Sequence, residues 1–308
     1  MGIRIRPTAI DNNELSRLLS AFQNTRVLLL KGAALGYTVY PEPHLRPRLD
    51  MDLFAKHASI DEVHLALVGC GYAREPAAAL ADSERSYSRL DTSGLHHDVD
   101  LHWAVANPAP FAKVLPFDEA WQASMAVAAL GPTARTLGHA DALLLACVHR
   151  VAHHHDSPSL LWLWDIHLLA NCLTAEGWEA LVRSVEGSGI RAVTYRGLEL
   201  AREKFGTPVP SEVVARLTPS NHREPAARFV RGLRLAEIAM TNLAAMGSWH
   251  ARLTFFRNNL FPPRAHMLAT FPRYPAYLLP LAYLHRIVRG AAKWSRRPAG
   301  AGMERQRP

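Results

Sequence analysis

Two short stretches of the chain alternate apolar and acidic residues in step: Arg48-Leu49-Asp50-Met51-Asp52-Leu53-Phe54 and His96-His97-Asp98-Val99-Asp100-Leu101-His102-Trp103. A side-chain period of two belongs to a β-strand, so the first sets Leu49, Met51 and Leu53 on one face and Asp50 and Asp52 on the other. The second sets Val99, Leu101 and Trp103 against Asp98, Asp100 and His102. Each reads as a half-buried strand with carboxylates in register along its polar face. Paired in one sheet, the two would gather several negative charges within a few ångströms.

The surrounding pattern gives these strands a setting. Leu15, Leu18, Leu19 and Phe22 have helical spacing, and Asp11 or Asn12 is placed to cap the start. Val27 to Leu30 is a continuous apolar run suited to a buried strand, and Lys31-Gly32 is expected to break it as a turn. Ala33 to Tyr40 can form one or two helical turns, ended by Pro41 and Pro43. Ile60 to Cys70 reads as a helix, and Tyr87 to Leu90 as a strand turning through Asp91 to Gly94 into the second acidic segment.

Beyond Asp118 the pattern is helical: 140–153, 159–172, 176–186, 190–205, 211–217, 223–243 and 281–294. The residues imply an α/β or α+β unit followed by a helical one, with the boundary between residues 105 and 135. The domain assignment is 1–120 for the sheet unit and 121–295 for the helical unit, with 296–308 as a disordered tail.

Composition narrows the class. With 308 residues and 49% hydrophobic content the chain can bury a substantial core. Cys70, Cys147 and Cys172 are odd in number and far apart, which speaks against a disulfide framework or a cysteine zinc site and for the reducing cytoplasm. No apolar stretch approaches the roughly 18 residues of a membrane span. The formal charge of +8 is uneven: residues 221–308 carry 15 Lys+Arg against 3 Asp+Glu. That bias suits anionic partners such as RNA, lipid or acidic protein.

Carboxylates two apart on one strand, with a third from a neighbouring strand, can flank two divalent ions held about 3.5–4 Å apart, as in phosphoryl transfer. Asp50, Asp52 and Asp100 have that arrangement if the strands pair; Asp98 shares the face of Asp100 and is an alternative. Gly32 would let backbone N–H groups approach a phosphate, with Lys31 and either Arg46 or Arg48 supplying positive charge. The competing role for either arginine is a surface ion pair with Glu42 or Asp50.

A strand ending in Lys-Gly, then Arg46-Pro47-x-x-Asp50-x-Asp52-Leu53, then Asp100-Leu101-His102-Trp103 resembles the nucleotidyltransferases of the DNA polymerase β superfamily. More narrowly it is similar to a bacterial branch described as nucleotidyltransferase family proteins. The likeness extends through ALLLACVHRVAH at 142–153, LWLWDIHLL at 161–169 and FGTPVP at 205–210.

The resemblance implies an α+β fold: an N-terminal polymerase β-like mixed sheet with flanking helices, then a helical domain that binds the acceptor. It implies Asp50, Asp52 and Asp100 as catalytic metal ligands for Mg²⁺ or Mn²⁺, selecting Asp100 over Asp98 as base or orienter of the nucleophile. Lys31, Gly32, Ala33 and Arg46 would bind an NTP such as ATP. Ala33 departs from the serine or second glycine of the superfamily turn. A small molecule or a peptide natural product is the favoured acceptor, with RNA less favoured.

His149 and His153 lie i, i+4 on one helix and, with Asp165, mark an acceptor pocket facing the cleft between the units. A metal phosphohydrolase centre at those histidines is a weaker reading, because the glutamate of H-E-x-x-H is missing. A further reading is an inactive nucleotidyltransferase fold that binds a peptide or partner. The C-terminal basic helix, with apolar residues along one side, also suits peripheral membrane contact.

Overall fold

The computed structural model describes residues 12–22, 24–75, 83–106, 109–219, 224–231, 235–245 and 248–294. The tail assigned to 296–308 lies outside them. Among these residues seven strands form one mixed sheet: β1 (Val27–Leu30), β2 (Met51–Ala55), β3 (Ala73–Arg74), β4 (Glu84–Leu90), β5 (His96–His102), β6 (Met125–Ala126) and β7 (Arg135–Thr136), in the order β3-β4-β5-β2-β1-β7-β6. Neighbours are antiparallel except β2 with β5 and β1 with β7. The last two strands lie beyond residue 120, so the sheet layer extends to Thr136.

Around the sheet run α1 (Asn12–Ser20), α2 (Lys31–Thr38), α3 (Ile60–Gly69) and α4 (Phe117–Gln122). The helical half comprises α5 (His139–Ala152), α6 (Leu160–Asn171), α7 (Ala175–Ser188), α8 (Arg191–Phe205), α9 (Ser211–Leu217), α10 (Leu235–Ala245), α11 (Trp249–Leu260), α12 (Arg264–Thr270) and α13 (Leu279–Trp294). Gly189 and Gly206 stop α7 and α8 in the left-handed region, at φ +65° and +63°. The helix expected over 223–243 is instead a 3-10 segment at Pro225–Arg231 followed by α10.

The sheet lies between two apolar cores. Leu29, Met51, Leu53, Val99 and Leu101 pack against α1 and α3 on one side. On the other, Leu28, Leu30 and Phe54 join the core that α5, α6, α7 and α8 build, so one core spans both halves of the chain. This corrects the expectation of a half-buried β2: all five of its residues are buried, because the helical half covers the acidic face. The strand also begins later than the alternation suggests, leaving Leu49 71% exposed and Asp50 just ahead of it.

Candidate active site

Register across β1, β2, β5 and β4 stacks polar side chains on the face toward the helical half. Asp52 is paired with Asp100 across the parallel β2–β5 ladder, Phe54 with His102, Asp100 with Ser86, and His102 with Glu84. Asp52 Oδ1 accepts hydrogen bonds from Lys31 Nζ at 2.7 Å and His102 Nε2 at 2.8 Å. His102 Nδ1 lies 3.2 Å from Glu84 Oε2, and Ser86 Oγ donates to Asp100 Oδ1 at 2.6 Å.

The electrostatics follow from this crowding. Burial disfavours the Asp52 carboxylate, but the Lys31 charge and the His102 hydrogen bond outweigh it and hold the group below the usual carboxylate range. His102 is likewise buried, yet its bonds to Asp52 and Glu84 favour the imidazolium. Asp50 lacks such support: burial, then repulsion from Asp52 and Asp100, pushes it up to about 6. Asp100 is raised by burial and by Asp52, against the Ser86 hydrogen bond.

Lys31 reaches Asp52 because β1 passes into α2 with no intervening loop. The expected glycine turn is therefore the first turn of a helix. Lys31 takes φ +51°, a conformation costing a non-glycine residue of order 1 kcal/mol. Gly32 has a steric reason. A Cβ there would sit 3.1 Å from Arg46 Nη1 and 3.3 Å from Arg46 Cζ. Ala33 is buried in the core beneath the sheet, with its side chain outside the cleft.

Arg46 is buried, with Nε 2.8 Å from Asp165 Oδ1 and Nη2 2.8 Å from Asp165 Oδ2; Tyr40 donates to Asp165 Oδ1 at 2.8 Å. The partner of Arg46 is thus neither Glu42 nor Asp50, and Asp165 is bonded to Arg46 and Tyr40 instead of His149 or His153. The arginine stays charged, because the bonds to Asp165 outweigh its burial.

Between the acidic face and α5–α6 lies a cleft of about 880 Å³, lined by Lys31, Gly32, Arg46, Asp50, Asp52, Asp100 and His102 on one side and by His149, His153, His154, Trp162 and Asp165 on the other. His149 stacks on His153 with ring centroids 5.1 Å apart, and His154 stacks on Trp162 at 3.8 Å. Burial and the Lys31 charge keep both imidazoles neutral, with His153 lowered to about 4 and His149 well below its ordinary value. His149 Nδ1 and His153 Nε2 are buried with no hydrogen-bond partner among the described residues.

The sequence profile of a family described as uncharacterised nucleotidyltransferase matches residues 8–206, well over half of the chain. The chain belongs to this nucleotidyltransferase family. A search of curated proteins gives no match. The family match ends one residue after α8, so α9 to α13 lie outside it.

The acidic face of this family member carries donors for a cation. Among the described residues, Asp52, Asp100 and His102 bring ligand atoms within 4.8 Å of one another, and no such group arises around His149 and His153. The raised Asp50 and Asp100 carboxylates lack a full complement of positive charge, and a divalent cation would supply it. The donor set suits a divalent metal.

His102 and Glu84 join the site in addition to the residues expected from the sequence. His102 was legible in principle, since it sits two residues after Asp100 on the same strand face; Glu84 depended on the β4–β5 register.

Proposed function

We propose that the protein is a nucleotidyltransferase that moves a nucleoside monophosphate from an NTP to an acceptor hydroxyl and releases pyrophosphate. The observation that carries this reading is the pairing of Asp52 with Asp100 across β2 and β5, beside Asp50 and Lys31, in a chain of this family. Asp50, Asp52 and Asp100 would hold Mg²⁺ or Mn²⁺, which when bound offsets phosphate charge and favours attack at the α-phosphate.

Lys31, Gly32 and Ala33, the last through its main chain, form the phosphate side at the start of α2, with Arg46 behind them. Asp100, already disposed to take up a proton by its surroundings, accepts or orients the proton of the acceptor hydroxyl. His149, His153 and Asp165 border the acceptor's place, where the unpartnered imidazole nitrogens offer hydrogen bonds. Ala142, Ala146, Leu161 and Trp162 add an apolar wall. Such a lining favours a small molecule or peptide natural product as the acceptor. Three free cysteines suit the cytoplasm as the working compartment.

One observation supports a second reading, in which the fold no longer transfers nucleotides and serves to bind a partner. Asp52 is already neutralised by Lys31 and His102 within the protein. Calorimetric titration with each NTP in Mg²⁺ or Mn²⁺, and incubation of α-labelled NTPs with a lysate of the native cell, separate the two. Metal-dependent NTP binding that Asp50→Ala with Asp52→Ala abolishes, together with label on an acceptor, is the expected result. Absence of NTP binding with either ion leaves the second reading.

A further inference from the structure

Between Glu237 and Glu304 the chain has no acidic side chain, while the same 66 residues hold nine Lys and Arg. Solvated helix faces ordinarily mix both signs. Here the charge is one-sided, and it coincides with exposed apolar side chains.

In α11, Trp249, Leu253, Phe256 and Leu260 are all exposed at spacings of four, three and four residues, one stripe of a helix, with Trp249 at 72%. In α13, Leu281, Leu284, Ile287 and Val288 are also exposed, at spacings of three, three and one residues, Val288 at 65%. The two helices approach one another where Phe261, just past α11, meets Tyr283 with ring centroids 5.8 Å apart, and Tyr283 donates to the Pro262 carbonyl at 2.6 Å. Arg257, Arg264, Arg273 and Arg289 are exposed on the same helices and their connections. Among the described residues no helix is long and apolar enough to cross a membrane.

We propose that α11 and α13 form a docking surface for an anionic membrane, with the Trp, Phe and Leu stripes entering the headgroup boundary and the arginines holding acidic lipid. Apolar stripes left exposed among the described residues, the α11 stripe bordering a groove with Met240 and Leu243 of α10, call for an apolar medium, and a uniformly cationic surround calls for a negatively charged one; an acidic bilayer surface provides both. A second copy of the chain is disfavoured by the same charge, since a symmetric contact would bring two strongly cationic faces together. The surface lies outside the family match and does not depend on the nucleotidyltransferase reading.

The full chain is sedimented with phosphatidylcholine vesicles made with and without phosphatidylglycerol, at low and high salt. Binding is expected only with phosphatidylglycerol, and it should weaken as salt rises. Leu284→Asp with Val288→Asp should abolish it, with the circular dichroism melt unchanged because both side chains are exposed. Each of Arg257→Gln, Arg264→Gln, Arg273→Gln and Arg289→Gln should weaken it by about fivefold. Failure to sediment with acidic vesicles overturns the proposal, as does equal sedimentation with neutral ones. So does a self-associated chain that the aspartate pair turns monomeric, or tight binding to polyglutamate that the aspartate pair leaves untouched.

Discussion

Arg46 and Asp165 lie 119 residues apart and join the loop ahead of β2 to α6 through two 2.8 Å contacts, both side chains buried. This pair ties the two sides of the cleft together, and Tyr40 adds a third hydrogen bond to the carboxylate.

Removing one partner strands a buried charge. Arg46→Ala or Asp165→Ala is expected to cost about 3–5 kcal/mol in urea denaturation, far beyond a surface ion pair. Arg46→Met combined with Asp165→Leu should recover most of that loss, because no charge then remains buried.

Gly32→Ala should destabilise by about 1–3 kcal/mol, since the new methyl group presses on a guanidinium that Asp165 prevents from moving. In a double-mutant cycle the cost should shrink sharply in an Arg46→Ala background. Additive effects would show that Gly32 is required for another reason.

Asp52→Asn and Asp100→Asn should each weaken Mn²⁺ binding by about 100-fold or more, read by electron paramagnetic resonance. His102→Gln should separate two roles. If the imidazole is a ligand, Mn²⁺ affinity falls; if it only neutralises Asp52, affinity holds or rises.

Asp50 sets a pH dependence. Its folded pKa of about 6 lies above the ordinary 3.8, so the folded state binds more protons than the unfolded one between those values. Stability should therefore decline as pH rises from about 4 to about 6, by of order 2 kcal/mol, and stay at the lower level above that. Asp50→Asn should flatten this slope. Mn²⁺ needs the carboxylate ionised, so its stabilising shift in melting temperature should be larger at neutral pH than near pH 5.

Helices α5 to α9 are legible in the sequence to within about two residues, because their apolar spacing follows the helical period and Gly189 and Gly206 stop two of them. The β2–β5 pairing is foreshadowed by alternation alone. Strands β6 and β7 are two residues each, too short to show a period, and only the parallel edge of β1 makes Arg135–Thr136 a strand. The reading of Lys31-Gly32 as a turn follows from the glycine. The structure instead uses that glycine inside a helix to admit Arg46.

By itself the sequence determined that Asp52 and Asp100 would each stand on an alternating strand and that helices would follow, since both are local periodicities. Only tertiary structure decided what those carboxylates meet. Lys31 and His102 on Asp52, Arg46 on Asp165, and the neutral His149 and His153 opposite all arise from pairings between distant segments. Charge and protonation in the cleft depend on burial and neighbours, and neither is written in the spacing of one strand.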